Sequence, residues 1–263
     1  MPYADTGEIC LHYEDTGPGG DAHAAPPVLL LHELGGSAES WRDVTSLLAS
    51  RRRVIALDYR GAGRSEKPPG SFPLETLADD AAALLRGLNL PRTDVLGGAL
   101  GSLVGVLLAG QHPALVRRLV LFAVSDDRDE RTAAYVTERA ARVRREGMRP
   151  VAETSLANAF PAAHSAARNR YLPLYLGHDP AGYAALFLAL ATSSLGTPVW
   201  EAVRVPTLVC SGAHDFIWPP DHGRRVAARI AEARFEVLED AGHFPHLQTP
   251  VAVTALAERF FPA

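Results

Sequence analysis

Cysteine is scarce, with Cys10 and Cys210 the only two in 263 residues. That is too few for a disulfide framework, and both lie in apolar strand-like segments, so buried reduced thiols are expected. Long apolar runs are missing as well. The longest, Ala184 to Ala191, falls far short of the roughly 20 residues that span a bilayer, so no membrane partner is expected. Residues 1–10 carry Asp5 and Glu8 without an apolar core, unlike a secretion signal, and a cytoplasmic location is the expectation. Charge of one sign is also lacking. The formal net charge is -4, and the run Arg51 to Arg53 is too short to make a basic face, which argues against nucleic acid as a partner. The sequence has no metal-ligand spacing and no phosphate loop, so no cofactor is expected.

Alternating apolar runs and helical patterns fill most of the chain. Tyr3 to Tyr13 reads as a hairpin turning at Asp5-Thr6-Gly7. Val28 to Leu31, Val54 to Leu57, Thr93 to Leu96 and Leu119 to Val124 are largely apolar, as strands buried on both faces of a parallel sheet are. The pattern becomes helical only from Ser125 to about Trp200, with helices expected over Asp126 to Arg149, Ala152 to Phe160, Ala166 to Leu176 and Pro180 to Ser194. The expected fold is α/β, a doubly wound and mostly parallel sheet. Residues 1–124 and 201–263 form its core, and residues 125–200 are a helical insertion.

The segment Val95-Leu96-Gly97-Gly98-Ala99-Leu100-Gly101 runs from a buried strand through a glycine-rich turn into an apolar helix that starts near Ser102. This is the strand-turn-helix setting of the G-x-S-x-G nucleophile elbow, with Ala99 at its centre. Downstream, Asp215 follows the apolar run Val205 to Cys210, and His243 follows Asp240-Ala241-Gly242. The order of nucleophile position, acid and base is that of the α/β-hydrolase fold.

With these residues the chain resembles the α/β-hydrolase superfamily over nearly its whole length. Leu29-Leu30-Leu31-His32-Glu33-Leu34-Gly35-Gly36 is similar to the family's oxyanion loop, and Asp58-Tyr59-Arg60-Gly61-Ala62-Gly63-Arg64-Ser65 to its D-x-R-G-x-G-x-S turn. The resemblance implies that His243 is the base and Asp215 its orienter. It implies an oxyanion hole of backbone N–H groups at Leu100 and Leu34, and a cap formed by residues 125–200. Within the superfamily the chain is most similar to the small esterase and enol-lactone hydrolase branch, which implies a carboxylic ester or lactone as the small-molecule substrate. Oligomeric state is left open.

A serine hydroxyl needs an imidazole to take its proton and a carboxylate to hold that imidazole in the productive tautomer. Each candidate also has a plainer role. Asp215 could cap a turn before Pro219-Pro220, and His246 is a rival to His243. His32 is read as shaping the loop, and Asp58 and Arg60 as a turn residue and a surface ion pair. Ser37 and Ser40 are read as caps. Ser102 is carried away from the turn by its helix. Glu33 replaces a glycine common in the family, and it is read either as directed to solvent or paired with an arginine, or as contacting a polar substrate group or relaying a proton. Phe160, Tyr171, Tyr175, Phe187 and Trp218 are candidates for the pocket wall, or else ordinary core.

Three functional readings follow from Ala99. In the first, the chain is an ester or lactone hydrolase whose serine has been replaced, giving an inactive form. In the second, it is an enzyme without a nucleophile that uses His243 and Asp215 as an acid-base pair for a lyase, decarboxylase, cyclase or ring-opening reaction. In the third, it is a non-catalytic small-molecule binding protein.

Overall fold

The computed structural model describes residues 3–17, 25–90, 92–126, 130–192 and 196–262. Eight strands are present among them: β1 (Tyr3–Asp5), β2 (Cys10–Asp15), β3 (Val28–Leu31), β4 (Val54–Leu57), β5 (Thr93–Gly98), β6 (Val116–Phe122), β7 (Thr207–Gly212) and β8 (Arg234–Leu238). They form one sheet in the order β1-β2-β4-β3-β5-β6-β7-β8. The pairs β1/β2 and β2/β4 are antiparallel, and every later pair is parallel. The hairpin at Asp5-Thr6-Gly7 forms as expected, with Gly7 at φ 83° and its N–H donating to Asp5 Oδ1 at 2.8 Å.

The apolar strands face two cores because side chains alternate along a strand. Leu29, Leu31, Ile55, Leu57, Val95, Leu119 and Leu121 point into one core, and Val28, Leu30, Val54, Ala56, Leu96, Val120 and Phe122 into the other. The first is covered by α2 (Glu75–Gly87) and α3 (Leu100–Gln111), the second by α1 (Arg42–Leu48) and α11 (Pro250–Phe260). Covering both faces removes the apolar side chains of the central strands, such as β3 and β4, from water.

Between β6 and β7 the described residues form helices only: α4 (Glu130–Glu146), α5 (Arg149–Ala159), α6 (Ser165–Leu176), α7 (Pro180–Thr192) and α8 (Thr197–Glu201), with a 3-10 turn at Ala162–His164. The expected first and last helices included residues 127–129 and 193–194, which lie outside the described residues. A third buried cluster, rich in aromatics, joins α4 to α7 and packs against Leu34, Ala99, Ile217 and Leu247. The helical segment thus rests on the end of the sheet where the elbow lies. α9 (Pro220–Arg229) and α10 (Pro245–Gln248) complete the helices.

Two local expectations are corrected. Cys10 is exposed, whereas Cys210 is buried. Cys10 opens β2 beside the short β1, and its N–H donates to Glu66 Oε2 at 3.0 Å. Asp58 is no surface turn residue but is 2 % exposed. Its Oδ2 lies 2.8 Å from His12 Nδ1, and its Oδ1 accepts from Ala38 N–H at 2.6 Å. Arg60 pairs instead with Asp80, through Nε at 2.6 Å.

Candidate active site

Ala99 sits between β5 and α3 at φ 49°, ψ -106°, a conformation that costs a non-glycine residue of order 1–3 kcal/mol. The glycines around it are needed because backbones touch. A Cβ on Gly101 would lie 2.0 Å from Leu31 O, and one on Gly97 would lie 2.5 Å from Gly101 O. The turn is pinned by Ala99 N–H, which donates to Phe122 O at 2.9 Å, and by Ser102 N–H, which donates to Ala99 O at 3.0 Å. Leu100 opens α3, so its N–H has no intrahelical acceptor. Ser102 is fully buried, with Oγ 2.8 Å from Gly97 O and 2.7 Å from Phe122 O. Its hydroxyl fastens the elbow and is not presented to a substrate.

Asp215 follows β7 in a turn. Its Oδ1 accepts from Ile217 and Trp218 N–H at 2.8 and 2.9 Å, and its Oδ2 lies 2.9 Å from His243 Nδ1. Asp215 is 3 % and His243 6 % exposed. The two backbone donors fix the carboxylate, so the ring donates from Nδ1 and leaves Nε2 as the acceptor. Close backbone approach positions the histidine loop, since a Cβ on Gly212 would meet Gly242 O at 2.3 Å. His243 N–H also donates to Ala159 O, at the end of α5, at 3.2 Å.

The loop after β3, expected from the sequence to hold an oxyanion, is built from within. His32 is fully buried, donates from Nδ1 to Glu33 O at 2.7 Å, and accepts at Nε2 from Tyr59 N–H at 3.3 Å. Burial holds its pKa below the usual imidazole value, against the raising influence of Glu33 and Asp58. This neutral ring shapes the loop, as its sequence suggests.

Glu33 points neither to solvent nor to an arginine. It is wholly buried, with Oε2 2.9 Å from His246 Nε2 and Oε1 accepting from Ser40 Oγ at 2.8 Å. Burial alone raises the carboxyl pKa, but the charge and hydrogen bond of His246, with smaller contributions from His32 and Tyr171, outweigh burial and bring the value to about 2. His246 is in turn stacked on Trp41, ring centroids 4.2 Å apart, and a Cβ on Gly98 would lie 3.2 Å from its Cε1. The pair therefore ties the loop after β3 to the segment after His243, behind the elbow. His246, with its Nε2 held by Glu33, is no longer a rival base. Ser37 and Ser40 cap the turn Ala38–Trp41 reciprocally.

Phe160, Tyr171, Tyr175 and Phe187 come together in the aromatic cluster beside Ala99 and Leu34, with ring centroids 5.7 Å apart for Phe160/Tyr171 and 6.1 Å for Tyr171/Tyr175. Trp218 stands apart, its ring 5.1 Å from that of His222, and Ile217 takes the place beside the cluster. Sequence reasoning passed over Tyr183, Phe244 and Arg139. Tyr183 and Phe244 belong to the cluster. Arg139 falls in helical register with Val136, Ala140 and Val143, all buried, and that spacing was a readable signal of a cation on the inner face of α4. Among the described residues no group of three or more His, Cys, Asp or Glu is placed to hold a metal ion, and no helix is long and apolar enough to cross a membrane.

The family model for the alpha/beta hydrolase fold matches residues 26–250. The chain belongs to the α/β-hydrolase fold family. It is 28% identical to 3-oxoadipate enol-lactonase 2 of Acinetobacter baylyi over 250 residues, covering 89% of this chain and 90% of that protein. Among solved structures it is similar to the enol-lactonase of Burkholderia xenovorans, with 30% identity, a TM-score of 0.89 and coverage of 98% and 99% of the two chains. It is also similar to a thermophilic esterase of Thermogutta terrifontis, with 30% identity, a TM-score of 0.87 and coverage of 95% and 92%. These relatives support a hydrolase that acts on small molecules.

Proposed function

We propose that this chain has the apparatus of a serine hydrolase for carboxylic esters or lactones, with Ala99 in the place of the nucleophilic serine. The observation that carries this reading is the strained backbone at Ala99, φ 49° and ψ -106°, kept beside an assembled Asp215–His243 pair. Alanine gains nothing from such a conformation, whereas a serine there would present its hydroxyl at the head of the sheet. The esterase and enol-lactonases that the chain resembles support the substrate class.

A hydroxyl at position 99 would pass its proton to His243 Nε2 while attacking the acyl carbon. Asp215 would stabilise the resulting imidazolium, and the Leu100 and Leu34 N–H groups would receive the developing oxyanion. The helices α4 to α8 act as the cap, with Phe160, Tyr171, Tyr175 and Phe187 as its apolar wall. Without the hydroxyl, the chain binds substrate and leaves it uncleaved. Removing a triad nucleophile lowers turnover by on the order of 10⁶. Glu33, a candidate participant in chemistry without a nucleophile, is engaged with His246 and Ser40.

The test is covalent. Ala99→Ser should become labelled by a fluorophosphonate in one-to-one stoichiometry, seen as a single mass increment on the peptide that spans β5 and α3. The double variant Ala99→Ser/His243→Ala should lose that labelling. Equal labelling of the unmodified chain, or none of Ala99→Ser, would contradict the proposal.

A further inference from the structure

The chain holds a second buried aspartate–histidine pair, which the proposed reaction does not use. Asp58 follows β4, and backbone donors fix its carboxylate as they fix that of Asp215: Oδ1 accepts from Ala38 N–H at 2.6 Å and Oδ2 from Arg64 N–H at 2.8 Å. Oδ2 also lies 2.8 Å from His12 Nδ1. A carboxylate held by two amide donors takes the proton-bearing nitrogen of the ring, so Nδ1 donates and Nε2 is left as an acceptor. Asp58 and His12 are each 2 % exposed, and Nε2 is buried with no partner among the described residues. A buried acceptor left without a donor is costly.

The pair lines a cleft of about 420 Å³ between the sheet and the end of α6, and none of Ala99, Asp215 and His243 lines it. On the helical side, Pro173, Leu174 and Gly177 lead to His178. His178 is 8 % exposed, and both of its ring nitrogens are buried without a hydrogen bond of full geometry, although the Gly35 backbone draws weakly on the ring. Burial, and after it the neighbouring His32, bring its pKa down to about 4, so the ring is neutral at neutral pH. Two buried imidazoles, one from the sheet and one from the helical segment, thus line a single cleft. The more exposed of the lining residues are Glu14, Glu39, Arg42 and Arg64, and Arg42 is already paired with Glu39.

The lining decides which chemistry fits. His12 Nε2 needs an O–H or N–H donor, which excludes a ligand whose buried end carries only carbonyl oxygens. The burial that keeps His178 uncharged also disfavours an ionic group at that depth, and the acids Glu14, Glu39 and Asp58 outnumber Arg42 and Arg64, which disfavours an anion. A hydroxyl both donates and accepts, as a neutral imidazole does, and neighbouring hydroxyls can pair with a planar carboxylate or guanidinium. Pro173 and Leu174 offer apolar surface to the C–H groups between them. We propose that the cleft between His12 and His178 is a binding site for a neutral polyhydroxylated ligand, a monosaccharide or cyclic polyol, separate from the hydrolase site. The volume is in the range of small-molecule sites. Binding there is independent of the group at position 99.

The experiment uses the unmodified chain. D-Glucose, D-galactose, D-mannose and myo-inositol are titrated by calorimetry near neutral pH, and the histidine ring nitrogens are followed in long-range proton–nitrogen NMR spectra. At least one of these compounds should bind one-to-one with a Kd of roughly 1 mM or tighter. It should shift the ring signals of His12 and His178 and leave those of His243 in place. His178→Leu, which keeps an apolar side chain and removes both nitrogens, should weaken binding about tenfold or more. No binding of any of the compounds up to about 20 mM, or binding that survives His178→Leu to within about twofold, overturns the proposal. So do shifts at His243 in place of His12 and His178, and displacement of the sugar from the two histidines by inorganic phosphate or methylammonium. The spectra of the unmodified chain decide the matter even if the variant does not fold.

Discussion

Replacing Glu33 by glutamine should destabilise the protein by about 3 kcal/mol at neutral pH. The figure follows from the fall of its carboxyl pKa from 4.5 to about 2 on folding, at about 1.4 kcal/mol per unit. The wholly buried carboxylate accepts from His246 Nε2 and Ser40 Oγ. A glutamine offers one acceptor oxygen, and its amide N–H groups would confront whichever donor is left, so a buried donor goes unsatisfied. At roughly 2–4 °C per kcal/mol for a chain near this size, the melting temperature should fall by about 6–12 °C. The pH dependence has a definite sign. Folding lowers this pKa, so the native state holds fewer protons than the unfolded one. The stabilisation is complete above pH 4.5 and is lost as pH falls toward 2. Denaturant unfolding followed by circular dichroism at pH 7 and pH 4 should therefore show a penalty about 1 kcal/mol smaller at the lower pH. A penalty under about 1 kcal/mol at pH 7, or one that grows as pH falls, would refute the buried pair as the anchor of the oxyanion loop.

Ala99→Gly should raise stability by about 1 kcal/mol in thermal unfolding, because glycine adopts a positive φ freely and the relief of strain exceeds its extra chain entropy; a loss of stability would show that the elbow is unstrained. Ser102→Ala should cost about 1–3 kcal/mol by removing the one buried hydroxyl proton shared between the Gly97 and Phe122 carbonyls. Made in the Ala99→Ser background, it should leave the amplitude of acyl-enzyme formation unchanged, and loss of that amplitude would make Ser102 a participant. In the same background Asp215→Asn should reduce kcat by about 10⁴, as a wrongly held imidazole tautomer does in serine proteases. A reduction below tenfold in steady-state assays would remove Asp215 from the triad.

The parts of the molecule legible in the sequence are those governed by local patterns. The strands at Val28–Leu31 and Val54–Leu57 announce themselves as apolar runs because both faces of a parallel sheet are covered. The elbow is readable because Gly97 and Gly101 are demanded by backbone contacts within a few residues and to β3. The aromatic wall was legible as residue types, and its membership was less so: Trp218 turns to His222 and Ile217 fills its place. What escaped were partnerships made across the fold. His246 reaches Glu33 from 213 positions away, and Asp58 meets His12 from 46, separations that leave no periodic trace. Cys10 looked buried from its apolar neighbours but starts a strand near the edge of the sheet, where one turn of the pleat exposes it.

The central claim is that everything but the hydroxyl is in place. Its most direct test is a stopped-flow measurement with p-nitrophenyl acetate and a small lactone panel, comparing the chain with its Ala99→Ser form at equal concentration. The account predicts a burst near one equivalent from Ala99→Ser and none from the unmodified chain. Turnover by the unmodified chain that vanishes with His243→Ala, or no burst and no cleavage from Ala99→Ser on any ester or lactone tried, would contradict it.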